Sequence, residues 1–193
     1  GSPGAKAGTN YDKGAVYIFT SAGGWTQQAK LVDPVEASET FFGCAVDISD
    51  DGNTVIIGSC SNPYINQMIS SVYIYVRQNG NWSLQKKQLR GNDTQADDGF
   101  GGTVALSGDG NTTLVGAAMA TVNMNNDRGA AYVFVRNGTT WAQQQTALSG
   151  TCSAMLSISP MTAILRLSAT RGKIPAPHMF FQGTQGAGAS RPS

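Results

Sequence analysis

The sequence predicts an all-β fold: a partial β-propeller of four-stranded antiparallel blades in an open array, followed by an irregular or partly helical C-terminal tail. Three observations predict it. An aromatic strand pattern occurs three times, a Trp follows each copy after a glycine-containing turn, and two Phe-Gly hairpins lie between the copies. A motif that recurs at nearly constant spacing is typical of repeat architectures, and four short strands per repeat suit a propeller blade.

The aromatic strands occupy residues 14–19, 71–76 and 129–134, where aliphatic and aromatic residues alternate. Such alternation, rich in β-branched and aromatic residues, favours strands. Each strand leads through a turn to a second strand that begins with Trp and has Gln three residues later. Because aromatic residues at a repeated position usually belong to cores, we expect these tryptophans to pack between neighbouring blades. They are Trp25, Trp82 and Trp141.

The other half of each unit is a hairpin that starts with Phe-Gly. Its two strands are joined by an Asp-Gly-Asn turn, a strong hairpin signal because Gly and Asn adopt positive φ at low cost. We expect the Phe residues to pack between blades and the glycines to form turns and close approaches. These structural positions are Phe42, Gly43 and Gly52 in one hairpin and Phe100, Gly101 and Gly110 in the other.

Together these elements resemble the FG-GAP repeat, the blade of integrin-α-type propellers, over roughly residues 3–150. The resemblance implies an extracellular or cell-surface propeller used for adhesion or recognition. We therefore divide the chain into residues 1–150, with about two and a half blades, and residues 151–193, a tail outside the pattern that we expect to be partly disordered.

The tail is the one part of the chain that lacks the repeat. A reading frame shifted by one base permits a Phe-Gly hairpin from about residue 152 and a Gly-Ala-Ala-Tyr-Val-Phe strand after residue 175, in the correct order. Met161 followed by Thr162 must encode Asp in that frame, as the hairpin requires. Our hypothesis is that the frame slipped near residue 150; a divergent natural tail is the alternative.

Composition excludes some function classes. Charged residues make up 13% of the chain and the net charge is +1, which predicts no nucleic-acid or anionic-membrane surface. The sequence contains no apolar run near the roughly 20 residues that a membrane-spanning helix needs. We expect marginal stability, self-association through open blade edges, or docking of the tail on an exposed blade, because an open array leaves its first and last blades with an uncovered face and unpaired strand edges.

The three cysteines do not form a complete disulfide framework, since their number is odd. Cys44 and Cys60 flank one hairpin and could face each other across it. Buried free cysteine is common, so two free thiols are the favoured interpretation, and a disulfide remains the alternative.

A calcium site is the one metal hypothesis. Calcium prefers six to eight oxygen ligands, and the hairpin turn supplies Asp47, Asp51 and Asn53 as candidates. The second hairpin lacks the first two carboxylates of the family's calcium pattern, so a plain turn is favoured over a cofactor site. Asp97 and Asp98 are a lesser candidate, more simply explained as a solvated loop.

No catalytic motif is present in the sequence, so we expect no enzyme. The favoured function is a non-enzymatic recognition or adhesion scaffold that binds a protein or glycan ligand through its loops, above all residues 60–70 and 118–127. Two alternatives stay open: an accessory propeller of a secreted hydrolase or phospholipase, and a sugar-binding propeller with aromatic platforms such as Trp82.

Overall fold

The computed structural model describes residues 1–6, 13–21, 23–34, 40–60, 70–121 and 129–146. In these residues, ten strands form three antiparallel sheets in an unclosed arrangement, which confirms the predicted all-β fold. Sheet 1 contains β1 (Ala15–Thr20) and β2 (Thr26–Val32); sheet 2 contains β3 (Phe42–Ile48), β4 (Thr54–Ser59), β5 (Ser71–Gln78) and β6 (Asn81–Leu89); sheet 3 contains β7 (Phe100–Leu106), β8 (Thr112–Ala117), β9 (Ala130–Asn137) and β10 (Thr140–Thr146).

Sheets 2 and 3 are copies of one design, with consecutive strands paired in sequence order. Sheet 1 contains the last two strands of that design, and Ser2 pairs with Ala15 as Ser59 pairs with Ser71 in sheet 2. The unit that the sequence suggests, from aromatic strand to Phe-Gly hairpin, therefore spans two sheets. Each four-stranded sheet instead begins at a Phe-Gly strand, because β4 and β8 each pair with the aromatic strand that follows.

The sheets stack on each other through hydrophobic clusters. Phe42 is fully buried and meets Tyr73 and Tyr75 edge-on, with ring centroids 5.4 and 6.4 Å apart. Phe100 repeats this geometry in sheet 3, so both Phe residues lie in the core as predicted. The cluster between sheets 1 and 2 comprises Val16, Ile18, Leu31, Phe42, Val55, Ile57, Tyr73 and Tyr75; the cluster between sheets 2 and 3 includes Val72, Ile74, Leu89, Phe100, Tyr132, Phe134 and Trp141.

Glycines allow the backbones of adjacent sheets to meet. A Cβ atom on Gly58 would lie 2.2 Å from the carbonyl oxygen of Gly101 in the next sheet. Gly101 has φ of +82° and Gly43 has φ of +90°, values that L-residues rarely adopt. A Cβ on Gly43 would lie 2.9 Å from the Val16 side chain of sheet 1. The glycine after each Phe therefore permits close stacking as well as an unusual backbone conformation.

The expectation of two free thiols is wrong. Cys44 and Cys60 form a disulfide across 16 residues, with Cα atoms 6.1 Å apart. Cys44 lies at the start of β3 and Cys60 just after β4, and these strands pair antiparallel with a register irregularity at this end. The pairing brings the two side chains opposite each other, which sequence separation alone does not establish.

Several predictions fall on residues that the structure does not describe. The whole tail, residues 151–193, lies outside the described residues, as does most of both predicted contact loops. Among the described residues, no helix is both long and apolar enough to cross a membrane.

Candidate interaction surface

Two faces of each sheet must be distinguished. We call the face that carries the aromatic residues of the aromatic strand and the Trp the leading face. The opposite face, with aliphatic residues of the same strand, is the trailing face. Side chains alternate along a strand, so Tyr73 and Tyr75 lie on the leading face of sheet 2 and Val72 and Ile74 on its trailing face. Each leading face packs on the trailing face of the preceding sheet.

A Trp–Gln hydrogen bond marks both inter-sheet contacts. The indole Nε1 of Trp82 donates to Oε1 of Gln28 in sheet 1, at 2.9 Å. Trp141 Nε1 donates to Oε1 of Gln85 in sheet 2, also at 2.9 Å. Trp82 and Trp141 therefore lie between sheets, as predicted, and each joins the last strands of adjacent sheets.

Both accepting glutamines, and their counterpart Gln144 in sheet 3, occupy β-bulges. Ile18 pairs with Ala29 and Phe19 with Gln27, so Gln28 is an extra residue in its strand. Gln85 and Gln144 are likewise skipped by the register of their sheets. A bulge re-aims the side chain that it carries. The Trp-x-x-Gln spacing is the sequence pattern that accompanies each bulge. It does not show that the Gln side chain accepts a hydrogen bond from the Trp of the next sheet.

An arginine that sequence reasoning missed completes each contact. Arg77 lies over the Trp82 ring at 5.7 Å, and its Nη1 donates to Gln28. Its Nε donates to Oδ1 of Asn53, in the Asp-Gly-Asn turn, at 2.9 Å. Arg136 repeats the stacking and the Asn contact in sheet 3. The available signal was an Arg shortly before Trp in two of the three repeats; Ser21 stands in its place in the first.

The Asp-Gly-Asn turns are closed by their own side chains. Ser49 Oγ donates to Asp51 Oδ1 at 2.6 Å, and the backbone N–H of Asn53 donates to the same oxygen at 2.9 Å. These hydrogen bonds, led by that from Ser49, lower the pKa of Asp51. The second turn is equivalent, and the hydrogen bond from Ser107 is the main cause of the lowered pKa of Asp109. Gly52 and Gly110 supply the positive φ, +65° and +67°.

The three calcium candidates have other partners. Asp47 Oδ2 accepts a 2.7 Å hydrogen bond from the backbone N–H of Leu106 in sheet 3, and its Oδ1 accepts from Ile48 N. Asp51 closes the turn, and Asn53 binds Arg77. Across the part of the chain that the structure describes, no group of three or more His, Cys, Asp or Glu could hold a metal ion. Asp47 thus joins two sheets.

The prediction of a solvated loop at Asp98 is wrong. Asp98 ends a short 3₁₀ turn (Ala96–Asp98) and is buried. Its carboxylate accepts a 2.7 Å hydrogen bond from the backbone N–H of Gln95, and its carbonyl accepts from Met119 N. These hydrogen bonds of Asp98 fix the backbone just before β7 begins.

The leading face of sheet 1 is open, and there the prediction for Trp25 is wrong. Trp25 is 76% exposed, Phe19 51% and Tyr17 37%, whereas their counterparts Tyr73, Tyr132, Phe134 and Trp141 are buried. No described element packs on this face. Lys30 lies over the Tyr17 ring at 5.5 Å. The exposed aromatic residues of the described chain are these three, and they are the candidate interaction surface.

Two segments of the chain, residues 25–75 and 82–134, match the model of the FG-GAP repeat family, and together they cover more than half of its length. This chain is an FG-GAP repeat protein. No curated protein sequence is significantly similar to it.

The FG-GAP segments do not coincide with the sheets. Each begins at a Trp, in or just before the last strand of one sheet, and continues through the first three strands of the next. One FG-GAP repeat therefore includes the Gln that accepts a hydrogen bond from the next Trp, and also the Phe-Gly strand that packs on the preceding sheet. One repeat unit of the sequence thus contributes strands to two neighbouring sheets.

Proposed function

We propose that this chain is a non-enzymatic recognition scaffold that works outside the cell or at its surface and binds a protein or glycan through the leading face of sheet 1. The single observation that carries the proposal is the exposure of Tyr17, Phe19 and Trp25 on one face. Contiguous exposed apolar patches usually mark interaction sites. Tyr and Trp combine a large apolar ring with a polar group and are enriched at protein interfaces.

The disulfide supports the extracellular part of the proposal. Disulfides such as Cys44–Cys60 persist in oxidising compartments and are rare in the cytosol. FG-GAP repeats are typical of extracellular recognition proteins, which agrees with this assignment.

Stacked sheets suit a recognition role because they hold a surface rigid. Side chains of sheet 1 below the patch, Val16, Ile18 and Leu31, are buried against sheet 2. A ligand that binds the patch would therefore meet pre-positioned rings, and less conformational entropy would be lost on binding. If the ligand is a glycan, the aromatic platform that binds it is Trp25 rather than Trp82, because the indole N–H of Trp82 is already bonded to Gln28.

A glycan array and a panel of extracellular matrix proteins test the proposal. We expect binding that falls at least about tenfold in Trp25→Ala and in Tyr17→Ala, as for aromatic residues at the centre of an interface. Gln78→Ala is the control, since Gln78 is the exposed last residue of β5 in sheet 2. Binding that all three variants retain equally would contradict the role of the leading face. Turnover of phospholipid or glycoside substrates would contradict the non-enzymatic assignment.

A further inference from the structure

We propose that the free edge of β1 accepts a Phe-Gly β-hairpin from a separate FG-GAP chain, and that this hairpin completes sheet 1 as a four-stranded sheet. The hairpin would fill a cleft between the β1 edge and the part of β3 that sheet 1 leaves uncovered. This cleft continues the interface between sheets 1 and 2. The inference goes beyond the proposed function, because the site is a strand edge and not the exposed ring of Trp25.

The edge of β1 is only partly paired. In the described chain, sheet 1 contains two strands, which correspond to β5 and β6 of sheet 2. Ser2 N donates to Ala15 O at 2.7 Å and Ala15 N donates to Ser2 O at 3.0 Å on the outer side of β1. Because backbone groups alternate sides along an antiparallel strand, those of Tyr17 and Phe19 point to the same outer side. No described strand pairs with them there, whereas β4 occupies the equivalent edge of β5.

The floor of the cleft is an apolar part of β3. Val46 is 41% exposed and Ile48 46%. They pair with Ile57 and Val55, which lie in the cluster between sheets 1 and 2, so both belong to the leading face of sheet 2. The counterpart of Ile48 in sheet 3, Leu106, is 5% exposed because strands β3 and β4 of sheet 2 cover it. The exposed pair on β3 therefore marks the place that a first and a second strand of sheet 1 would cover.

One end of this contact is already formed by the first residue of the chain. A Cβ atom on Gly1 would overlap the carbonyl oxygen of Gly43, just as one on Gly58 would overlap that of Gly101. Gly1 thus approaches β3 as the end of β4 approaches β7. An incoming strand that ends beside Gly1 would extend the same backbone approach along β1.

The hydrogen bonds of the second contact indicate which hairpin fits. Between sheets 2 and 3, the Asp47 carboxylate of β3 accepts a 2.7 Å hydrogen bond from the backbone N–H of Leu106. The equivalent donor in sheet 2 is the N–H of Ile48, which is bonded instead to Oδ1 of the adjacent Asp47, at 2.9 Å. A hairpin of the β3–β4 type, with Asp five residues after its Phe, would bring a second carboxylate to this donor.

The Phe of such a hairpin would meet the exposed rings of β1. In sheet 2, Phe42 lies edge-on to Tyr73 and Tyr75, whose counterparts in sheet 1 are Tyr17 and Phe19. The contact would therefore combine apolar burial with the backbone hydrogen bonds of an added strand, the combination by which β-strand addition gives affinity and specificity.

A labelled peptide tests the proposal on the full 193-residue chain. The peptide has the sequence of residues 42–57 with Cys44→Ser, and fluorescence anisotropy measures its binding. We expect saturable binding that Ile48→Lys weakens at least about tenfold, because the lysine places a charge on a surface that the hairpin must desolvate. Met119→Lys is the matched control, since Met119 has the same 46% exposure but follows β8 in sheet 3. A peptide that also carries Asp47→Ala should bind about tenfold more weakly, through loss of a charged hydrogen bond.

Amide hydrogen exchange, followed by NMR, locates the added strand. Binding of the peptide should slow exchange of the Tyr17 and Phe19 amides at least about tenfold, because they gain partners in the hairpin. The amides of Val16 and Ile18 point to β2 by the same alternation and should change little. Circular dichroism should show that the Ile48→Lys chain stays folded, since the side chain is exposed.

Three results would overturn the inference: no saturable binding of the peptide, equal binding to the Ile48→Lys chain, or no protection of Tyr17 and Phe19. Association of the wild-type chain with itself that Ile48→Lys abolishes would also overturn it, because a second copy would then be the occupant. The outcome is separable from that of the proposed function. Trp25 precedes β2, on the other side of β1, so Trp25→Ala should leave peptide binding unchanged while it lowers binding of a glycan or matrix protein.

Discussion

The indole N–H of Trp141 donates a 2.9 Å hydrogen bond to Oε1 of Gln85, which lies 56 residues earlier in the neighbouring sheet. Trp82 and Gln28 form the same bond one sheet earlier. The chain thus uses one residue pair, repeated with the sequence period, to set the position of each sheet on the previous one.

Loss of this bond should reduce stability by a modest and separable amount. We expect Trp141→Phe to lower the free energy of unfolding by about 1 kcal/mol more than Trp25→Phe, because the latter residue is exposed and has no such bond. Urea unfolding of both variants measures the difference. In a double-mutant cycle with Gln85→Ala, the two effects should not add; additive losses would show that the bond contributes nothing.

Close approach of the sheets should make Gly58 intolerant of a side chain. A Cβ on Gly58 would overlap the carbonyl oxygen of Gly101, so Gly58→Ala should cost about 3 kcal/mol by forcing sheets 2 and 3 apart. Gly80→Ala is the control: a Cβ there meets nothing within 4 Å, so only backbone strain, about 1 kcal/mol, is expected. Equal losses in the two variants, measured by thermal unfolding, would contradict the steric explanation.

Acid should weaken the Asp-Gly-Asn turns. The pKa values of Asp51 and Asp109 are lowered by hydrogen bonds in the folded chain. Their contribution is therefore complete above the unfolded pKa, about 4, and is lost as pH falls through the lowered folded value. The urea midpoint should fall less between pH 6 and 3 in an Asp51→Asn, Asp109→Asn variant than in the wild type. Parallel pH profiles would exclude this contribution.

The Cys44–Cys60 disulfide should leave one free thiol in the denatured, unreduced chain, out of three cysteines. Thiol titration checks this, and the Cys152→Ser variant should give none. Reduction should cost about 3 kcal/mol, because a bond across 16 residues restricts the unfolded chain. Three reactive thiols without reductant would refute the disulfide.

The hypothesis of a shifted reading frame after residue 150 stays a prediction. Sequencing of the source gene should reveal a Phe-Gly hairpin and an aromatic strand in the neighbouring frame. A gene whose only open frame encodes the present tail, with no repeat in the other frames, would disprove it.

Local chemistry made the strands predictable. The aromatic strands alternate strictly, and Gly and Asn at the turns have φ/ψ requirements that few other residues meet, so the strands and hairpins could be placed by inspection. Which hairpins share a sheet could not. The link from Ser59 to Ser71 is longer than a tight turn, and its pairing depends on contacts between whole strands.

The candidate site was less predictable for the same reason. Trp25, Trp82 and Trp141 have equivalent sequence surroundings, yet two are packed between sheets and one is exposed. The difference lies in whether another sheet covers the ring. Arg77 and Asp47 were also missed or misassigned, since their partners are 24 and 59 residues away.

The sequence by itself determined the repeat, the strands, the turns and membership of the FG-GAP family, because each depends on residues close together in the chain. Only the tertiary structure decided where one sheet ends, that Cys44 and Cys60 are bonded, and that the leading face of sheet 1 is open. Those properties arise from contacts between segments far apart in sequence, which no local pattern encodes.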